Sequence, residues 1–233
     1  MRKNLIVVRA GDNSLHPRWL GTNAQRNFDL LVSYYGATLG RFEGECDLYH
    51  AMAGPRWPAH HAICTQHLDR LLSYDRIAFV CDDVDARPEA WTRLFELCAR
   101  YQLDLAQPAI LGYRSYAITE PQQGVLLRYT NFVEIMCPVF SSRALERVRS
   151  TFGESVSGWG LDFLWSRLLP YSDYKVAIVD SVCVTHAGIV RQGSLRPVLD
   201  RLGIDPLDEL KQVMSRNRVE DFMFKVYARV MDA

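Results

Sequence analysis

Paired cysteines are missing from this chain. Its six cysteines (Cys46, Cys64, Cys81, Cys98, Cys137 and Cys183) are never closer than 17 positions, which excludes the CxxC pairs of zinc ribbons and redox dithiols. Most sit in apolar surroundings, where cysteine behaves as a small hydrophobe. A reduced, cytoplasmic compartment is therefore expected. Long apolar runs are missing too. Only four consecutive apolar residues precede Arg9, whereas a signal peptide needs about 7–15 and a membrane span about 20, so neither is expected. The third absence is net charge: Lys plus Arg and Asp plus Glu number 27 each. No global field draws the chain to nucleic acid or to an anionic membrane. Internal repeats, low-complexity stretches and a clear linker are also lacking.

What is present is an ordinary globular balance, 48% hydrophobic and 23% charged over 233 residues. A chain of this length buries roughly 70% of its unfolded surface, enough for a full core. Residues 5–8 read as a buried strand running into the polar loop RAGDNS, and residues 28–36 as a second strand. Residues 61–74 carry Ile63, Leu68, Leu71 and Leu72 on one helical side. The strand IAFV follows, then a helix over 87–102 with Trp91, Leu94, Phe95, Cys98 and Tyr101 on one face. Strand alternating with helix predicts parallel βαβ units, whose ligands gather outside the carboxyl ends of the strands. RAGD and CDDVD both lie at that end.

The second half is less regular. Residues 125–141 read as strand, SSRALERVRSTF as helix, and FGESVSGWGLD as a glycine-bearing loop before the short helix DFLWSRLL. KVAIVDSVCVTH reads as a strand ending in His186. The tail, residues 206–233, reads as helical, capped by Asp205 with Pro206 in the first position. Its stripe of Val219, Phe222, Met223, Val226, Tyr227 and Val230 reads as a core-packing face and a candidate contact surface for a homo-oligomer.

Three clusters carry chemistry. Asp82, Asp83 and Asp85 follow a buried strand, and carboxylates that close together must take up protons or share a cation. Mg2+ and Mn2+ accept such oxygen ligands and leave positions for phosphate oxygens. The plainer explanation is a solvated turn, with Asp85 capping the next helix. In SGWGLDF, Gly158 and Gly160 permit a tight bend that exposes Trp159 as a flat face for an apolar ligand surface such as a sugar ring. Asp162 follows directly; the plainer explanation is a tight turn with a core tryptophan and a capping aspartate. His186 shares the strand-end position and is a good donor to Mn2+-like ions. Arg9, Asp12, Arg56 and Trp57 suit a phosphate and a nucleobase, although surface ion pairs explain them equally. Arg191 and Arg196 lie in a segment able to close over a diphosphate.

Strand–DxD, then GWG-x-D, then a strand ending in histidine, in this order, resembles the GT-A class of glycosyltransferases. More closely, KNLIVVRAGDNSLHPRWL, YDRIAFVCDDVDA, LDLAQPA, RYTNFVEIMCPVFS and GWGLDFLW look like a family of glycosyltransferase-like proteins of unknown function, over residues 3–186. The resemblance implies an α/β, GT-A-like single domain with a mostly parallel central sheet flanked by helices. Residues 1–105 would form a nucleotide-binding half, 106–190 an acceptor-side half, and 205–233 C-terminal helices.

It also implies a nucleotide-sugar donor, a carbohydrate or other hydroxyl acceptor, and Mn2+ or Mg2+ bound by Asp83, Asp85 and His186. Asp82 falls beside the ribose or behind the metal ligands, and Arg9, Ala10, Gly11 and Asp12 match the nucleotide loop. Arg56 and Arg191 are the expected diphosphate contacts. Trp159, Gly160 and Asp162 fall at the acceptor, with Asp162 as general base in an inverting displacement. A haloacid-dehalogenase-type phosphohydrolase also places DxD after a strand, but expects Thr or Val where Arg87 stands. A further alternative is a non-catalytic nucleotide- or sugar-binding module, since fold alone does not establish chemistry.

Overall fold

The structure is a computed structural model that describes residues 2–22, 26–187, 195–219 and 222–232. In the first half, β1 (Asn4–Ala10), β2 (Phe28–Tyr34), β3 (Leu48–Ala51) and β4 (Arg76–Cys81) alternate with α1 (Arg56–Gln66) and α2 (Leu68–Leu72). The two-residue strand β5 (Val84–Asp85), α3 (Pro88–Arg100) and β6 (Leu105–Gly112) follow. Then come β7 (Val125–Thr130), β8 (Val139–Ser141), α4 (Ser142–Val148), α5 (Leu161–Leu168) and β9 (Val176–His186). The chain closes with α6 (Leu195–Leu202), α7 (Pro206–Arg216) and β10 (Val226–Met231).

One sheet runs in the order β10-β7-β9-β6-β8-β4-β1-β2-β3, with β5 added on β9. β3, β2, β1 and β4 are mutually parallel. Beyond β4 the sheet is mixed: β8 is antiparallel to both β4 and β6, while β6 and β9 are parallel. β1 is apolar at successive positions because both of its faces are covered. Ile6 and Val8 pack with Trp91, Leu94 and Phe95 of α3. Leu5 and Val7 pack on the other face with Trp57 and Ile63 of α1 and Trp165 of α5. The period-2 alternation of a strand divides the core into these two layers. Among the described residues, no helix is long and apolar enough to cross a membrane.

The helix expected over 61–74 starts earlier and breaks at His67, whose backbone leaves helical geometry (φ −126°, ψ 29°) before α2 restarts. The strand expected over 125–141 is interrupted from 131 to 138. Thr130 Oγ1 accepts the N–H of Phe132 at 3.2 Å and turns the chain out of β7, and Pro138 has no N–H to give a ladder. β3, β6 and α6 were not anticipated as elements. The tail is the largest correction: α7 stops at Arg216, and Arg218 takes a left-handed φ of 53°. Residues 226–231 then form an antiparallel strand on β7. Val226, Tyr227 and Val230 suit a strand as well as a helix stripe, and the open edge of β7 decides between them. Phe222 instead packs edge-on against Phe163, and Tyr227 stacks on Tyr171 at 4.1 Å. The helical contact face expected there does not form.

His16 tests the tightness of this packing. It is buried beside Phe42, with Nδ1 2.7 Å from Ser14 Oγ and Nε2 without a hydrogen-bond partner. Burial lowers its pKa from 6.5 to about 4. Between those two values the unfolded chain holds a proton that the folded chain refuses. The stabilisation is fully present above pH 6.5 and is lost as pH falls towards 4. His60, also buried and lowered, acts with the same sign, whereas Glu134 and Asp162, raised by burial, act oppositely. Thermal melts from pH 7.5 to 4.5 should therefore show a shallower acid loss for His16→Gln than for the wild type.

Candidate functional site

The carboxyl ends of β1 and β4 open onto a cavity of about 570 Å³. β5 runs antiparallel to the end of β9 and sets Val84 opposite His186. That pairing brings Asp83 Oδ2 to 3.0 Å from His186 Nε2, across 103 residues of sequence. His186 Nδ1 lies 3.1 Å from the Tyr113 carbonyl, so Nδ1 carries a hydrogen and the ring is held with Nε2 towards Asp83. Burial opposes charge on both groups, but their mutual hydrogen bond and attraction win: His186 is raised and Asp83 lowered from their ordinary pKa values. Asp83 Oδ1 is buried and has no hydrogen-bond partner.

This donor set suits a hard or borderline divalent ion. One carboxylate oxygen lacks a partner, one imidazole nitrogen faces the same carboxylate, and a backbone carbonyl orients the ring from behind, the usual support for a metal-binding histidine. Among the described residues, no group of three His, Cys, Asp or Glu side chains is arranged to hold a metal. The protein would thus supply two ligands, leaving positions for ligand oxygens and water.

The three aspartates have separated. Asp83 stands at the cavity with His186. Asp82 also lines it, and its Oδ2 accepts the Gly11 N–H at 2.8 Å and the Tyr35 hydroxyl at 3.1 Å. Burial raises the Asp82 pKa, opposed by the Gly11 bond. Asp85 is not on the cavity wall; it pairs with Arg18 at 2.9 Å on the surface. Nor does it cap α3, whose N-cap position is Arg87.

The nucleotide-loop residues are mostly occupied with structure. Arg9 lines the cavity but donates to Ser33, Met52 O and Gly54 O, tying β1 to the chain after β3. Burial brings its pKa down to about 10. Ala10 is core. Asp12 accepts from the Tyr34 hydroxyl and the Ala37 N–H, and these bonds hold its pKa at about 2. Arg56 lines the cavity, lies over the Trp57 ring and contacts Cys81 Sγ. Trp57 itself is core. Arg191 lies outside the described residues; Arg196 lines the cavity and pairs with Asp200 at 2.8 Å.

The GWG segment divides its duties. Trp159 is on the cavity wall. Gly158 (φ 87°) and Gly160 (φ 97°) are in the left-handed region, and a Cβ on Gly160 would lie 2.9 Å from Val213 Cβ of α7. Glu209 of α7 accepts the N–H groups of Val156 and Ser157 and both hydroxyls of Ser155 and Ser157. α7 therefore fixes the loop that presents Trp159. Asp162 is 2% exposed, lies off the cavity wall, and is held well above the ordinary carboxylate pKa by burial and by Glu134.

Glu134 was not singled out from the sequence, although a lone acid inside the apolar run FVEIMC is a visible signal. It stands in the break between β7 and β8, lines the cavity and is 3% exposed.

The fold has known relatives. The chain is similar in fold to TarS of S. aureus. TarS 1–349, solved in complex with UDP-GlcNAc, matches with a TM-score of 0.56 at 13% identity, covering 94% of this chain and 66% of that one. The same TarS fragment in complex with UDP matches with a TM-score of 0.52 at 11% identity, covering 96% and 67%. Without either named ligand it gives 0.53 at 11%, covering 80% and 60%. This chain spans about two thirds or less of the TarS fragment's length in these matches. The likeness bears out the expected α/β fold, a mostly parallel central sheet flanked by helices. A family model, "Protein of unknown function (DUF707)", matches residues 121–233, which include β7, Trp159 and His186. No curated protein matches the chain.

Proposed function

We propose that this chain is a glycosyltransferase that moves a sugar from a nucleotide-diphosphate-sugar to an acceptor hydroxyl, with inversion, using Mn2+ or Mg2+ held by Asp83 and His186. The observation that carries the reading is the Asp83–His186 pair, with its partnerless Oδ1, at the mouth of a cavity beyond parallel strand ends. The fold shared with TarS, solved with UDP-GlcNAc and with UDP, supports the donor class.

Each residue then has a task. A divalent ion, when bound, neutralises the diphosphate and stabilises the charge that grows on it as it leaves. Arg56 offers the cavity a guanidinium suited to phosphate oxygens. Asp82, by holding Gly11 and Tyr35, closes the loop after β1 into a wall for the nucleoside. Trp159 offers its face to the acceptor sugar. On this reading residues 1–105 hold the nucleotide and 106–190 the acceptor.

A thermal-shift panel of nucleoside diphosphates, each with and without Mn2+, tests the proposal. One nucleotide should raise the melting temperature only when metal is present; a ligand at 100 times its Kd adds about 2.7 kcal/mol. If no nucleotide shifts the melt, the reading is lost. The burial of Asp162 off the cavity wall favours one alternative, a non-catalytic nucleotide- or sugar-binding module. Slow donor hydrolysis separates the two, because a binding module has none.

A further inference from the structure

An inverting transfer needs a base within reach of the acceptor hydroxyl, and the resemblance assigned that task to Asp162. In the folded chain Asp162 is turned into the first turn of α5, its Oδ1 accepting the Phe163 N–H at 3.1 Å, and it does not reach the cavity wall. A carboxyl is nevertheless presented there. Glu134 lines the cavity together with Ser115 and Trp159, and it is almost wholly buried.

The surroundings of Glu134 are built to hold it still. Its own N–H donates to Gln107 Oε1 at 2.5 Å, and the Gln107 amide is in turn engaged with the Pro108 carbonyl at 3.1 Å. Ser115, on the same wall, holds the Glu134 pKa down against the rise that burial imposes. One carboxyl oxygen, Oε2, is sealed from solvent and has no partner in the protein. A buried acceptor without a donor is costly to the fold, so a cavity-lining carboxyl with an unpaired oxygen is a place for a ligand's donor. An acceptor hydroxyl lying on Trp159 would be such a donor.

We propose that Glu134, rather than Asp162, is the catalytic base of the transfer. This rests on the glycosyltransferase reading. The acceptor's O–H bond breaks as its proton passes to the Glu134 carboxylate. The acceptor oxygen uses the freed electron pair to bond the anomeric carbon, and the bond from that carbon to the diphosphate breaks, its pair leaving with the diphosphate. The Glu134 carboxylic acid returns its proton to solvent.

The test uses the whole chain, a panel of nucleotide-sugars with Mn2+, and water as acceptor, reading sugar release and nucleotide Kd for Glu134→Gln, Asp162→Asn and Ser115→Ala. Glu134→Gln should slow hydrolysis by about 10² to 10⁴, the usual worth of a general base, with nucleotide Kd unchanged. Asp162→Asn should stay within about fivefold of the wild type, far below a general base's worth. Ser115→Ala, on an exposed residue, should lower the rate without altering Kd even if Glu134→Gln folds poorly. A wild-type rate in both Glu134→Gln and Ser115→Ala, or a loss in Asp162→Asn as large as in Glu134→Gln, overturns the assignment and leaves the transferase reading standing. Nucleotide-sugar binding without any hydrolysis by the wild type overturns both.

Discussion

Asp83→Ala abolishes metal-dependent nucleotide binding while the protein still folds. Asp83 offers the cavity a carboxylate whose Oδ1 has no partner and whose Oδ2 meets His186 at 3.0 Å. Its removal takes away one of the two protein ligands proposed for the ion. Loss of an outer partner of a metal ligand already costs 10–100-fold in affinity, so loss of the ligand itself should exceed about 100-fold. The fold should tolerate the change, because the Asp83 side chain is 42% exposed and stands at the cavity rather than in the core. Whatever weak nucleotide affinity the metal-free chain has, below what shifts the melt, should be unchanged, since Asp82, Gly11 and Tyr35 are untouched. Titration calorimetry with and without Mn2+ reads both quantities. His186→Ala should behave alike, and Asp85→Ala should not, because Asp85 is engaged with Arg18 away from the cavity. Equal metal dependence in the wild type and Asp83→Ala would reject the ligand assignment.

Gly158→Ala should be the most destabilising single methyl in the GWG segment. Its φ of 87° is a conformation that L side chains rarely adopt, and a Cβ there would overlap the indole of Trp57 at Nε1 and Cδ1. Trp57 has no room to retreat: it is fully buried and packed against His60, Phe152 and Trp165. The left-handed backbone costs roughly 1–2 kcal/mol and the overpacking roughly 1–3. The sum is a large share of a typical stability of about 5–15 kcal/mol. For a chain of this size, the melting temperature should fall by on the order of 10 °C. Gly44→Ala is the control, since its Cβ would meet nothing within 4 Å; an equal melt for Gly158→Ala and Gly44→Ala would show that the loop yields freely. Because Gly158 adjoins Trp159, nucleotide binding at low temperature separates lost stability from a displaced wall.

Local chemistry made several features legible. The doubly buried strands β1 and β4 show as unbroken apolar runs, and α3 shows as a 3.6-residue stripe, because burial on two faces or on one writes directly into side-chain type. The capping of α7 by Asp205, which accepts from Leu207 N at 2.8 Å, is equally local. So is the need for glycine at 158 and 160, where the backbone bends through the left-handed region.

Pairing between distant segments was decided by the tertiary structure. Val226, Tyr227 and Val230 fit a helix face or a strand, and only the free edge of β7 makes them a strand. CDDVD presents three like carboxylates, and the antiparallel meeting of β5 with β9 chooses Asp83 for His186 and sends Asp85 to Arg18. Asp162 and Glu134 are both lone acids in apolar sequence. Which of them faces the cavity depends on the turn at Thr130 and the first turn of α5, separated by about thirty residues in sequence and brought together only by packing. Side-chain type is fixed along the chain, residue by residue, whereas the direction in which a buried carboxyl points is set by the sum of contacts from elements far apart in sequence.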